Sequence, residues 1–131
     1  MARSVATFLM FYGTAEEAMR LYVSLFPGSA ITRLERYGPD EGGPEGSVKR
    51  AHLQLGGQEL MCFDSPVKHD FTFTPSISLF VECESAAELE DVFGRLAAGG
   101  TVLMPLDDYG FSTRFGWLND RFGVSWQLNL A

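Results

Sequence analysis

The chain repeats itself. Thr14-Ala15-Glu16-Glu17 and Ser85-Ala86-Ala87-Glu88 share one form, a hydroxyl residue with Glu three positions later, and the two begin 71 residues apart. In such a box the hydroxyl accepts from the N–H three residues on and the Glu reaches back, so each marks a helix start. A strand-length run precedes each, Val5–Tyr12 and Ser76–Glu82. An amphipathic helix and three further strands follow. The order strand, helix, strand, strand, strand therefore occurs twice. A repeat of this length limits the fold more than any composition does. Neither half can bury a sheet by itself, so the two sheets are expected to meet around a shared core or cleft.

Within the first half, Ala18, Leu21, Tyr22 and Leu25 share one helical face, and Pro27-Gly28 ends the helix. Ala30–Tyr37 is a strand. Gly38–Gly46 is acidic and rich in Gly and Pro, a mobile surface loop. In Val48–Leu55, Ala51, Leu53 and Leu55 alternate with Arg50, His52 and Gln54. Gly56-Gly57 turns the chain into Glu59–Asp64. Ser65–Thr74 links the halves. In the second half, Leu89, Val92, Phe93 and Leu96 form the helical stripe, Gly99-Gly100 stops it, and Thr101–Leu106 is a strand. The closing hairpin pairs Phe111–Leu118 with Val124–Leu130 across Asn119–Gly123. Its last strand sends Val124, Trp126, Leu128 and Leu130 one way and Ser125, Gln127 and Asn129 the other.

At 131 residues, 46% hydrophobic and 21% charged, the chain has the length and balance of one ordinary globular domain. The formal charge of −7 argues against a nucleic-acid partner, which needs a basic surface. No apolar run approaches the ~20 residues of a membrane span. The start does not read as a signal peptide, so the expected location is cytoplasmic. Cys62 and Cys83 lie in apolar strands and are expected to be reduced and buried.

The segments FLMFYGTAEEAMRLYVSLFPGS, LGGQELMCFDS and GWLNDRFGVSWQLNL resemble the PhnB-like branch of the vicinal oxygen chelate superfamily, the glyoxalase and bleomycin-resistance proteins. The resemblance spans nearly the whole chain. It implies an α+β fold of two βαβββ modules, about 4–64 and 75–131, whose curved mixed sheets form a cleft within a single domain over 1–131. This branch is often labelled demethylubiquinone methyltransferase-like. No glycine-rich strand-to-helix loop suited to a nucleotide-like cofactor supports that activity here.

Metal-dependent members of the superfamily use inward His or Glu on the first and last strands of each module. With the strands aligned by their helix starts and hairpin turns, the resemblance places those positions at Thr7, Met61, Ser76 and Gln127. These are neutral groups that cannot repay the dehydration of a hard dication, so no metal and no cofactor is expected. His52 reads as a residue of the solvated strand face, and His69-Asp70 as a linker pair. Asp107-Asp108-Tyr109-Gly110 reads as turn chemistry. No nucleophile–base set can be assembled.

What remains is a neutral pocket lined by Thr7, Met61, Phe63, Ser76, Arg114, Trp117, Ser125 and Gln127, with Phe71, Phe73 and Phe111 as a roof. An apolar, aromatic site with a few hydrogen-bonding groups is the usual form of a small-ligand site. The expected function is therefore small-molecule binding in a metal-free cleft, in a protein that forms homodimers. The alternative is a metalloenzyme of the same fold, a glyoxalase- or dioxygenase-like lyase or isomerase whose metal set is not recognised.

Overall fold

The computed structural model describes all 131 residues, Met1–Ala131. They form two compact units, Met1–His69 and Asp70–Ala131. The first contains β1 (Thr7–Phe11), α1 (Ala15–Leu25), β2 (Ala30–Arg36), β3 (Val48–Leu55) and β4 (Gln58–Asp64). The second contains β5 (Ser78–Glu82), α2 (Ala86–Ala97), β6 (Thr101–Asp107), β7 (Arg114–Asn119) and β8 (Ser125–Leu130). Both are βαβββ, so the α+β class and the two-module repeat are as expected.

The sheets share one topology. Their orders are β1-β4-β3-β2 and β5-β8-β7-β6. The first strand of each pairs parallel with the last, and the remaining pairs are antiparallel. Gly56 and Gly57, both at positive φ (56° and 88°), form the two-residue connection between β3 and β4 that a right-twisted hairpin favours.

Each helix covers one face of its own sheet. In the first unit, Ala15, Ala18, Met19, Tyr22 and Leu25 of α1 are buried, as are Ala51, Leu53, Leu60 and Cys62 of the sheet. Met19 takes the buried place expected of Leu21. In the second unit, Leu89, Val92, Phe93 and Leu96 are buried with Leu118, Trp126 and Leu128. Gly116 lets β7 pass under α2, because a Cβ there would meet the Phe93 ring. Alternation then leaves the opposite face of each sheet free of helix, and Met61, Phe63, Trp117, Ser125 and Gln127 are on those faces.

Three local expectations are corrected. At Ser85 the hydroxyl half of the box forms, with Ser85 accepting from the Glu88 N–H at 3.1 Å, while Glu88 reaches one residue past the cap and accepts from the Glu84 N–H at 2.8 Å. The box at Thr14 does not form, since its hydroxyl caps nothing. Asp64, buried at the end of β4, takes over instead, accepting from Ala15 N at 3.0 Å with one oxygen and from Val48 N at 2.9 Å with the other. A carboxylate bound to two backbone donors outcompetes a neutral hydroxyl for the helix start. The strand expected from Phe111 begins only at Arg114. Asp107 and Asp108 accept from the N–H groups of Asp108 and Gly110, each at 2.8 Å, and fold the chain into a turn. Finally, β5 starts at Ser78, because Pro75 and Ser76 lie in a turn.

Candidate ligand-binding face

Strand register fixes which side chains lie side by side. In the second unit Phe80 is opposite Gln127, Gln127 opposite Trp117, and Trp117 opposite Met104. Beside this row runs another, in which Ser78 is opposite Ser125 and Ser125 opposite Asn119. Their β8 neighbours Trp126 and Leu128 are buried against the helix side, so both rows occupy the helix-free face.

Four of these groups form one hydrogen-bonded cluster. Trp117 Nε1 donates to Ser125 Oγ at 2.8 Å, the Ser125 and Ser78 hydroxyls are 2.6 Å apart, and Gln127 Nε2 donates to Ser78 Oγ at 3.3 Å. Donor counting fixes the protons. Ser125 is 1% exposed, so its hydroxyl proton must find a partner inside the protein, and Ser78 is the one within reach. Ser78 then accepts from both Ser125 and Gln127, and its own O–H is left to donate outward. Gln127 Oε1 accepts from no protein group. The face thus presents one O–H donor and one carbonyl acceptor side by side, held by a buried hub.

Aromatic rings border this cluster. Phe80 and Phe115 have centroids 6.5 Å apart, Phe111 meets Phe115 edge-on at 5.1 Å, and Tyr109 meets Phe115 edge-on at 6.2 Å. Phe115 is buried by them, while Phe80 and Phe111 stay more than half exposed. The exposed rings offer flat apolar surface beside the donor and acceptor. Asn119 Oδ1 and Asn129 Oδ1, buried on the same face, have no hydrogen-bond partner.

The expected site residues therefore divide. Ser125, Gln127 and Trp117 are brought together. Ser76 is not among them. It is exposed and bonds to Thr74 at 2.7 Å, and Ser78, which the sequence reading missed, takes its place. The alternation of Ser78, Phe80 and Glu82 against Leu79 and Val81 was the signal. Arg114 shares a face with Leu130 and Gly116 and turns to α2, where it binds Glu90 at 2.6 Å. In the first unit, Met61 and Phe63 do lie on the helix-free face, with Phe8 stacked on Phe63 at 4.9 Å. Thr7 does not. It pairs with Leu60, shares the helix side with Leu9 and Phe11, and accepts from Gln58 Nε2 at 3.0 Å. Counting back from the helix starts puts each first strand one or two residues out of step.

The register also tests the superfamily's metal site. The open-face pairs on first and last strands are Phe8 with Met61 and Phe80 with Gln127. Neither a phenyl ring beside a thioether nor a phenyl ring beside an amide supplies a donor set for a divalent cation. No group of three or more His, Cys, Asp or Glu is gathered elsewhere. Cys62 and Cys83 are unpaired and buried. Burial, helped by Asp64, pushes the Cys62 thiol up to about 12. Burial, helped by Glu88 and Glu82, pushes Cys83 to about 11. Neither is a ready thiolate.

Comparison with known proteins agrees with this architecture. The family described as 3-demethylubiquinone-9 3-methyltransferase matches residues 3–129. The PhnB protein of Bacillus cereus is 55% identical with a TM-score of 0.95, covering 98% of this chain and all of that one. A glyoxylase/bleomycin resistance protein/dioxygenase domain from Frankia is 18% identical with a TM-score of 0.63, covering 100% of this chain and 93% of that one, a likeness of fold alone. The YjdN protein of Escherichia coli is 24% identical over 88 residues, 67% of this chain and 59% of that protein. The chain thus spans under two thirds of that relative. No helix is long and apolar enough to cross a membrane.

Proposed function

We propose that this chain, which belongs to the family described as 3-demethylubiquinone-9 3-methyltransferase and has the glyoxalase/bleomycin-resistance fold, binds a small, flat, uncharged molecule on the helix-free face of its second sheet. The observation that supports this reading is the Trp117–Ser125–Ser78–Gln127 cluster, which leaves an O–H donor and a carbonyl acceptor beside exposed aromatic rings. A planar ring system bearing a primary amide is complementary: its carbonyl accepts from Ser78 and its N–H donates to Gln127. Methyl transfer needs a cofactor cradle, and the family description alone supports that activity.

The test is titration of the 15N-labelled chain with 2-naphthamide, read at the Trp117 indole N–H. Saturable shifts are expected. Gln127→Ala is expected to weaken binding at least fivefold while leaving the rest of the spectrum native. Binding that is absent, or equal in Gln127→Ala, overturns the proposal.

Two coarser assignments belong to the same reading. The protein works in the cytoplasm, where its two unpaired thiols stay reduced. It also forms a homodimer. The edge strand β6 exposes Val102 and Leu103 at 44% and 38%, and an apolar edge is a surface that a second copy covers. A monomeric mass at micromolar concentration overturns the dimer.

A further inference from the structure

The helix-free face of the first unit has a different chemistry. One row across all four strands reads Phe8, Met61, His52, Arg33, each opposite the next. One end is apolar, with Phe8 stacked on Phe63 and Met10 opposite Phe63. The other is charged, with Glu35 opposite Arg50.

The charged groups are not equally engaged. Arg33 bonds Glu35 at 2.8 Å, so those two neutralise each other. Glu59 is 3.1 Å from His52 Nδ1, and Arg50 Nε donates to His52 Nε2 at 3.3 Å. Because arginine only donates, Nε2 must be the lone-pair nitrogen, and the proton is on Nδ1, bonded to Glu59. Arg50 is thereby held at its Nε, while its terminal nitrogens donate to no protein group. A held guanidinium with its fork open is the geometry that takes a carboxylate through two parallel bonds.

We infer that Arg50, positioned by His52 and Glu59, anchors a carboxylate on the open face of the first sheet, and that the ligand is a monocarboxylate with an apolar tail. The tail crosses Met61 to the Phe8–Phe63 stack. Two strand spacings separate β3 from β1, about 10 Å, the reach of a short arylalkyl chain. The inference is independent of the amide site, which lies in the other unit on other residues.

The probe is 4-phenylbutyrate, with 4-phenylbutyramide as its uncharged isostere, titrated into the full-length 15N-labelled protein. The expected result is a saturable shift of the Arg50 Nε–H and of the Phe8 and Phe63 rings, with the amide binding at least tenfold more weakly. Arg50→Gln is expected to lose at least tenfold. His52→Ala is expected to lose about threefold, and His52→Gln to regain it, since a glutamine accepts from Arg50 and donates to Glu59 together. Both positions are on the open face, and a native amide spectrum of each variant separates lost binding from lost fold. Equal binding of acid and amide, an unchanged Arg50→Gln, or no saturable shift overturns the assignment.

Discussion

The two modules have one topology and two chemistries. At matching places on their open faces one row reads Phe8, Met61, His52, Arg33 and the other Phe80, Gln127, Trp117, Met104. The helix-covered faces of both are apolar, because packing a helix on a sheet demands it. The open faces carry no such demand and have diverged. One runs from rings to charge, and the other pairs neutral hydrogen-bonding groups with rings. The fold specifies where a site can be, and the side chains of the open rows specify what it can hold.

The largest expected effects concern the carboxylates that lock each module. Asp120 is 3% exposed and accepts from Phe122 N at 2.9 Å, Val124 N at 3.0 Å and Trp126 Nε1 at 3.0 Å. It ties the final turn to the largest buried side chain of its unit. Asp64 holds only two backbone donors, at Ala15 and Val48. Asp120→Ala should cost about 4 kcal/mol and Asp64→Ala about 2–3 kcal/mol, each stranding buried donors that had an ionised acceptor. Urea unfolding measures both. The reverse order would show that the helix start, rather than the hairpin, is the weaker point.

The next effect sharpens the contrast between the open faces. Ser125→Ala strips the indole N–H of Trp117 of its acceptor inside a buried hub, at about 1–2 kcal/mol. His52→Ala breaks bonds to Glu59 and Arg50 that solvent can replace, at under about 1 kcal/mol. Equal costs by denaturation would mean that the Ser125 hub is as solvated as the charged face, and the proton assignment at Ser78 would fall with it. A smaller test uses Gln127→Met, which gives the second row the residue of the first at that place. It should abolish the amide-binding shifts at Trp117 with a stability change of under about 1 kcal/mol, and retained binding would remove Gln127 from the site.

Much of this was legible in the sequence because periodicity reports burial. Ala51, Leu53 and Leu55 against Arg50, His52 and Gln54 give the two faces of β3 directly, and Trp126 and Leu128 against Ser125 and Gln127 give those of β8. The errors came where backbone phase is set by something distant. Thr7 and Ser76 were placed by counting from helix starts, yet one connection holds a turn through Pro75 and the other module's helix is capped by Asp64, 49 residues beyond Ala15. Arg114 has an open-face look in sequence, next to Phe115, but its parity follows Gly116 and Leu118 and sends it to Glu90 on α2. Long-range pairing decided each case, and no local window contains it.

The smallest prediction tests surface charge, where the modules also differ. Glu16 of α1 is bound by both Arg36 and Arg20, whereas on α2 Glu90 pairs with Arg114 and Asp91 with Arg95. Hydrogen bonds from Arg36 first and Arg20 second lower the Glu16 carboxyl from 4.5 to about 2. A carboxyl whose pKa is depressed on folding stabilises the folded state above its unfolded value and loses that contribution as pH falls toward its folded value. The difference in urea midpoint between the parent chain and Glu16→Gln should therefore be constant from pH 7 to about pH 5, then shrink between pH 4.5 and pH 2. Solvent reaches this cluster, so the difference should be small and should fall further in high salt. A difference that persists at pH 2 would assign the effect of the substitution to helix packing rather than to the charge that distinguishes α1 from α2.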